Sequence, residues 1–225
     1  LNKKDIAISY HRSHAHYLAK GGSAKKLFAE LHGFKEGCSK GVGGSMHLTD
    51  LKNNFYGSTA IVSNSIPVGV GLAYSLKINN QKNLVCIYVG DASLEEGVFY
   101  ESINFAALKN LPVLFICENN LYSVYSGLSV RQPKNRKILN LVNSMGICAE
   151  KCDGNDAVEC HKILNQKIIN QVQIHETELL PRPKNYKDWF TFYDEIDLRR
   201  HLQDIEIILI EAALEKTNGK IANAA

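Results

Sequence analysis

No run of apolar residues in this 225-residue chain approaches the roughly 20 that a membrane-spanning helix needs, so no such helix is expected. Nor does a basic, apolar secretory leader open it. Charge of one sign is scarce. Lys and Arg number 26 against 23 Asp and Glu, and a net charge of +3 is too mild to point to nucleic acid or a membrane surface. The six cysteines include no C-x-x-C pair. The spacing of Cys148, Cys152, Cys160 and His161 fits no zinc pattern. Cys86 and Cys117 sit inside apolar runs and read as reduced core thiols of a cytoplasmic protein. Internal repeats are absent. What is present is 45% hydrophobic residues, enough for one sizeable α/β domain and something besides. The first residue is Leu1, and "LNKKDIAISYHRSHAH" reads as a chain entered partway through an element, so a fragment is expected.

Local patterning supplies the elements. Residues Ala24 to His32 have helical spacing, with Leu27, Phe28 and Leu31 on one face and Gly33 as the stop. "GCSKGVGGSMH" (Gly37–His47) is a glycine-rich loop without periodicity, and its Gly41–Gly44 stretch reads either as a phosphate cradle or as an irregular connection. Ile66–Ile78 reads as a helix whose Gly69, Gly71 and Ala73 suit close packing. Leu84–Val89 and Val113–Cys117 are apolar strands. Between them Phe99, Ile103, Ala106 and Ala107 repeat at helical spacing behind a Ser93/Glu96 capping box. Strand, helix and strand with short connections make a βαβ unit, hence parallel strands in a doubly wound, mostly parallel α/β sheet.

"VCIYVGDASLEEG" carries the chemistry. A strand buried on both faces runs through Gly90 directly into the carboxylate of Asp91. Ligands of such sheets gather outside the carboxyl ends of the strands. "ENN" (Glu118–Asn120) ends the next strand, so a carboxylate and a carboxamide oxygen converge at one edge. Hard oxygens with open positions suit Mg²⁺, and the start of the following helix suits a phosphate. The plainer alternative is that Asp91 starts a helix and Asn119-Asn120 makes a turn.

"GDASLEEGVFYESINFAALKNLPVLFICENNLYS" resembles the thiamine-diphosphate motif of the alpha subunits of 2-oxo acid dehydrogenases. "HRSHAHYLAKG", "KGVGGSMH", "NFYGSTAIVSNSIPVGVGLA" and "CDGND" agree, and "GGSMH" is similar to the pyruvate and acetoin branch. The resemblance runs over residues 1–171, and it implies a thiamine-diphosphate-binding fold. It further implies oxidative decarboxylation of a small 2-oxo acid with acyl transfer to a lipoyl-bearing acyltransferase, in a heterotetramer with a beta subunit. Asp91, Asn120 and the carbonyl of Tyr122 would hold Mg²⁺, and Arg12 would meet the diphosphate. Gly90, Ala92 and Ser93 would lie along the phosphates, and Ala60 and Val62 would face the aminopyrimidine. His11 and His47 are the catalytic candidates. His11, His14 and His16, which alone could suggest a metal cluster, become cofactor- or substrate-side residues, some of them structural.

The chain departs from the family pattern in places. Ala92 stands where the family has Gly, so strain is expected if that position needs positive φ. His11 stands where a Tyr is usual, and the helical segment ahead of it is missing. After Gln171 the closing strand and a His-containing loop are not found. Residues 172–197 read instead as a linker. Residues 198–225 read as a helical tail that resembles the Fis-type region of bacterial enhancer-binding activators, ending before a recognition helix, so nucleic acid is not an expected partner. A catalytically inactive remnant fused to a regulator's tail is the alternative reading.

Overall fold

The computed structural model describes residues 1–177, with side chains described through residue 168. The tail expected over 198–225 and the linker beyond residue 177 lie outside the described residues. The described sheet has four strands: β1 (Ile6–Tyr10), β2 (Phe55–Thr59), β3 (Val85–Gly90) and β4 (Val113–Glu118), in the order β2-β1-β3-β4. Every pairing among them is parallel, as expected for a doubly wound fold. β3 and β4 are immediate neighbours, in a register that sets Gly90 beside Glu118.

Parallel strands covered on both sides have no face to give to water, which is why they read as nearly continuous apolar runs. One face carries Ile6, Ile8, Val85, Ile87 and Val89. It packs under α3 (Ser65–Ile78) and α4 (Gly97–Leu108), joined by side chains of α6 (Ile138–Ser144). The alternate residues face the other way. Ala7 meets Tyr17 of α1 (His14–Ala19) and Leu27 of α2 (Ala24–Leu31). Leu84, Cys86 and Leu114 meet Leu164 and Ile168 of α7 (Ala157–Thr177). Each such fully buried aliphatic side chain stabilises the fold by about 1.5–3 kcal/mol relative to exposure. Among the described residues no helix is long and apolar enough to cross a membrane.

α3 lies against the sheet because Gly69 lets it. A Cβ there would stand 2.4 Å from Ile87 Cδ1 and 3.1 Å from Ile8 Cγ2. Gly71, grouped with Gly69 in the sequence, has nothing within 4 Å of such a Cβ. The Ala24–His32 helix is there, capped by Ser23, whose side chain accepts the Lys26 N–H. Its inward face differs from expectation: Leu27 and Glu30 are buried, while Phe28 and Leu31 are exposed. The buried carboxylate has a dedicated set of donors, described below. The Ser93/Glu96 capping box is not formed. Residues Asp91–Glu95 make a 3-10 turn, and α4 starts only at Gly97. The tight turn keeps Asp91, Ser93 and Leu94 buried, which takes Ser93 away from the helix end.

Cys86 is wholly buried, and burial pushes its thiol up to about 12. Cys117 is exposed, contrary to expectation. β4 is the edge of the described sheet, and its burial declines from Val113 toward Glu118 as it runs past the covering helices. α7 continues past Gln171 to Thr177, into the segment expected as linker.

Candidate active site

Four parallel strands present their carboxyl ends to one side of the sheet, and each delivers part of a cavity of about 260 Å³. From β1 come Tyr10, His11 and Arg12. The loop after β2 brings Ala60 and Val62. Gly90, Asp91, Ala92 and Ser93 follow from β3, and Glu118, Asn120 and Tyr122 from β4. Met46, Ser123 and Val124 complete the wall. Of the residues given site roles in the sequence, all but His14, His16 and His47 line this cavity. His47 is exposed, and its loop presents Met46 instead.

Asp91 is 2% exposed, and its carboxylate is held from above. After β4 the chain forms a hairpin of β5 (Tyr122–Ser123) and β6 (Ser126–Gly127), followed by the short helix α5 (Leu128–Arg131). Arg131 Nη2 donates to Asp91 Oδ2 at 2.5 Å, and Nη1 donates to Glu95 Oε1 at 2.6 Å. Hydrogen bonding to Asp91 raises the guanidinium above its ordinary value, so it stays charged. Gln132 Nε2 donates to the same Glu95 oxygen at 2.7 Å. A buried carboxylate must be compensated, and here a cation already occupies one oxygen.

Asn120 Oδ1 accepts the Tyr122 N–H at 3.0 Å in a turn closed by its own side chain, which fixes the carboxamide. Asp91, Asn120 and Tyr122 share the wall of this cavity, and the donors such residues can offer are hard oxygens, a chemistry that suits Mg²⁺ rather than a soft metal. Ala92 is not among the residues with positive φ, so the strain expected there is absent. The 3-10 turn uses right-handed backbone, and alanine fits it. Ser63 adopts the left-handed region instead, at φ 64, and its Oγ donates to the Ser93 carbonyl at 2.9 Å. That bond ties the Ala60–Val62 loop to the turn carrying Asp91.

The histidines fall into separate roles. His11 is pushed below its ordinary value by burial and by Arg12, so its imidazole is neutral at pH 7. His14 Nε2 pairs with Ser45 Oγ at 2.9 Å and its carbonyl at 3.0 Å. His16 stacks on Tyr88, with ring centroids 3.9 Å apart, and bonds Ser9 Oγ through Nδ1 and Glu118 Oε1 through Nε2. Tyr10 Oη donates to Glu118 Oε2 at 2.6 Å. Burial works to raise the Glu118 carboxyl, but His16 and Tyr10 outweigh it and hold it below the usual range. Among the described residues no three of His, Cys, Asp and Glu are arranged to hold a metal ion.

Sequence reasoning missed Arg131, Tyr10, Glu118 and Met46 as site residues. Glu118 and Met46 stood inside quoted motifs. Arg131 carries no local signal, because its partner lies 40 positions away.

Comparison with known proteins identifies the family of the chain. The family model described as "Dehydrogenase E1 component" matches residues 1–166. The pyruvate dehydrogenase E1 component subunit alpha of Rickettsia felis is 42% identical over 185 residues, covering 82% of this chain and 56% of the relative. The mitochondrial subunit alpha-1 of Arabidopsis thaliana is 40% identical over 124 residues, 55% of this chain and 32% of that protein. The chain thus spans about half the length, or less, of the curated relatives it matches. A crystal structure of transketolase from Campylobacter jejuni superposes with a TM-score of 0.57 at 17% identity, over 75% of this chain and 28% of that one, a likeness of fold. On the match across residues 1–166, this chain belongs to the dehydrogenase E1 component family.

Proposed function

We propose that this chain is the thiamine-diphosphate- and Mg²⁺-binding core of an alpha-type subunit of a decarboxylating 2-oxo acid dehydrogenase of the pyruvate or acetoin kind. With a beta subunit it would decarboxylate a small 2-oxo acid and pass the acyl group to a lipoyl-bearing acyltransferase. The observation that carries this reading is the shared cavity at the strand ends, with Asp91, Asn120 and Tyr122 in its wall and Arg12 beside them. The pyruvate dehydrogenase alpha subunits it resembles support the same activity.

Asp91, Asn120 and the Tyr122 carbonyl would hold the metal. Arg12 would offset diphosphate charge, and the start of the 3-10 turn at Ala92 and Ser93 would offer N–H groups to phosphate oxygens. The backbone of Ala60 and Val62 would face the aminopyrimidine. When bound, the cofactor supplies the nucleophilic carbon and the electron sink that decarboxylation needs. The chain's own residues bind, orient and set charge. The neutral His11 ring at the cavity wall can accept a proton, whereas His47, outside the lining, is assigned no step.

Calorimetric titration of Mg²⁺ and thiamine diphosphate into the wild type and Asp91→Asn tests the assignment. Loss of an outer-shell partner alone weakens metal affinity about 10–100-fold, so removal of the ligand charge is expected to weaken it at least that much. Equal affinity in the two proteins would overturn the site.

A further inference from the structure

The residues from Gly37 to His47 form only turns, yet their backbone amides converge on one side chain. Glu30, in the last turn of α2, is 1% exposed. Its Oε2 accepts the N–H groups of Ser39 at 2.7 Å and Gly41 at 2.9 Å. Its Oε1 accepts those of Gly43 at 2.7 Å and Gly44 at 3.1 Å. The loop is therefore wound around an internal anion, and the donors that would make it a phosphate cradle are already engaged. The glycines are there for closeness. A Cβ on Gly37 would stand 2.3 Å from Glu30 Oε2, and one on Gly43 would stand 2.1 Å from the His47 carbonyl oxygen.

The far end of the loop reaches the cavity. Met46 lines it, and the Met46 carbonyl accepts the Ser58 hydroxyl at 2.9 Å. Ser45 holds His14. Leu48 N–H donates to Ser58 Oγ at 2.9 Å, closing the loop onto β2.

We propose that Glu30 is a positioning residue of the site: its carboxylate sets the path of the glycine loop, and the loop in turn places Met46 in the cavity wall and Ser45 against His14. A carboxylate is required, because four donors face it and only an acceptor-only group satisfies them all. Glutamine would aim its own N–H₂ at two of those donors. The link to cofactor binding rests on the reading of the cavity proposed above.

Met46 and Met145 are the only methionines in the chain, which makes the test direct. Met145 packs on the central core and serves as the internal control. The ¹³C-methyl methionine spectrum of the full chain is recorded for the wild type, Glu30→Gln and Gly44→Ala. The alanine is the gentler change: its methyl meets nothing within 4 Å, and only the φ of +57° is strained. In both variants the Met46 signal is expected to shift or broaden while Met145 stays. Affinity for thiamine diphosphate with Mg²⁺ is expected to fall at least tenfold in Glu30→Gln. If that variant does not fold, Gly44→Ala decides through the same signal. An unchanged Met46 signal in the folded variants overturns the proposal, as does a shifted signal with wild-type affinity. A wild-type chain that binds no thiamine diphosphate overturns the cavity reading instead, and the Met46 signal still decides whether Glu30 sets the loop.

Discussion

Arg131 and Asp91 show how far one residue's role can depend on another. The two side chains are 11% and 2% exposed, so each neutralises a charge the other could not leave uncompensated. Breaking a buried pair from one side typically costs about 3–5 kcal/mol. Arg131→Met is therefore expected to lower unfolding stability by about 3 kcal/mol or more in a urea titration. Mg²⁺ with thiamine diphosphate should recover part of that loss, because a metal at Asp91 restores the missing positive charge; no recovery would separate Asp91 from the metal. Glu30 gives a second prediction at this scale. Burial acts to raise its carboxyl, but the backbone N–H groups of Gly41, Gly43, Ser39 and Gly44 outweigh burial and hold it below the ordinary value. A depressed folded-state value means that its contribution is fully present above about pH 4.3, the unfolded value, and is lost as pH falls through the folded one. Urea midpoints measured from pH 7 to pH 3 should fall less steeply in Glu30→Gln than in the wild type. Parallel acid limbs would show that the carboxylate is not charged in the fold.

At the scale of elements, what could be read in advance follows from how local the cause is. β3, β4, α2, α3 and α4 were legible because buried strands and amphipathic helices leave apolar runs and periods in the sequence. β1 was missed: "IAISY" is short and follows the polar "NKKD". β2, "FYGST", holds a glycine and three hydroxyl residues, and only Phe55 and Ser58 of it are buried. The edge at which the site forms was legible, since strand ends in parallel sheets gather ligands. The latch of Arg131 and the amide cage of Glu30 were not, because both are set by tertiary contacts that no spacing encodes. The two glycines of α3 turn this distinction into a measurement. Gly69→Ala would drive a methyl into Ile87, and overpacking of this kind costs about 1–3 kcal/mol. Gly71→Ala meets open space and should gain about 0.5–1 kcal/mol from helix propensity. Thermal melts of opposite sign are expected; a stabilising Gly69→Ala would mean that α3 does not rest on the sheet as described.

For the molecule as a whole, the cavity has the character of one side of a site. Its volume of about 260 Å³ falls below the roughly 300–1,000 Å³ of ligand pockets that enclose their occupants. Met46, Val62, Tyr122 and Val124, all in its wall, are between 43% and 81% exposed. Apolar side chains gathered around an open concavity mark a surface that something else covers. On the proposed function the cover is a beta subunit. A second surface that closes over the cofactor removes these side chains from water and strengthens every charge interaction inside by excluding solvent. Thiamine diphosphate with Mg²⁺ should accordingly bind the chain at least tenfold more tightly in the presence of the beta partner than alone. The gain should shrink when Val124 is changed to Asp, which places a charge in the contact while leaving the Asp91 oxygens untouched. If the partner subunit adds no affinity, the exposed side chains around the described wall require another occupant.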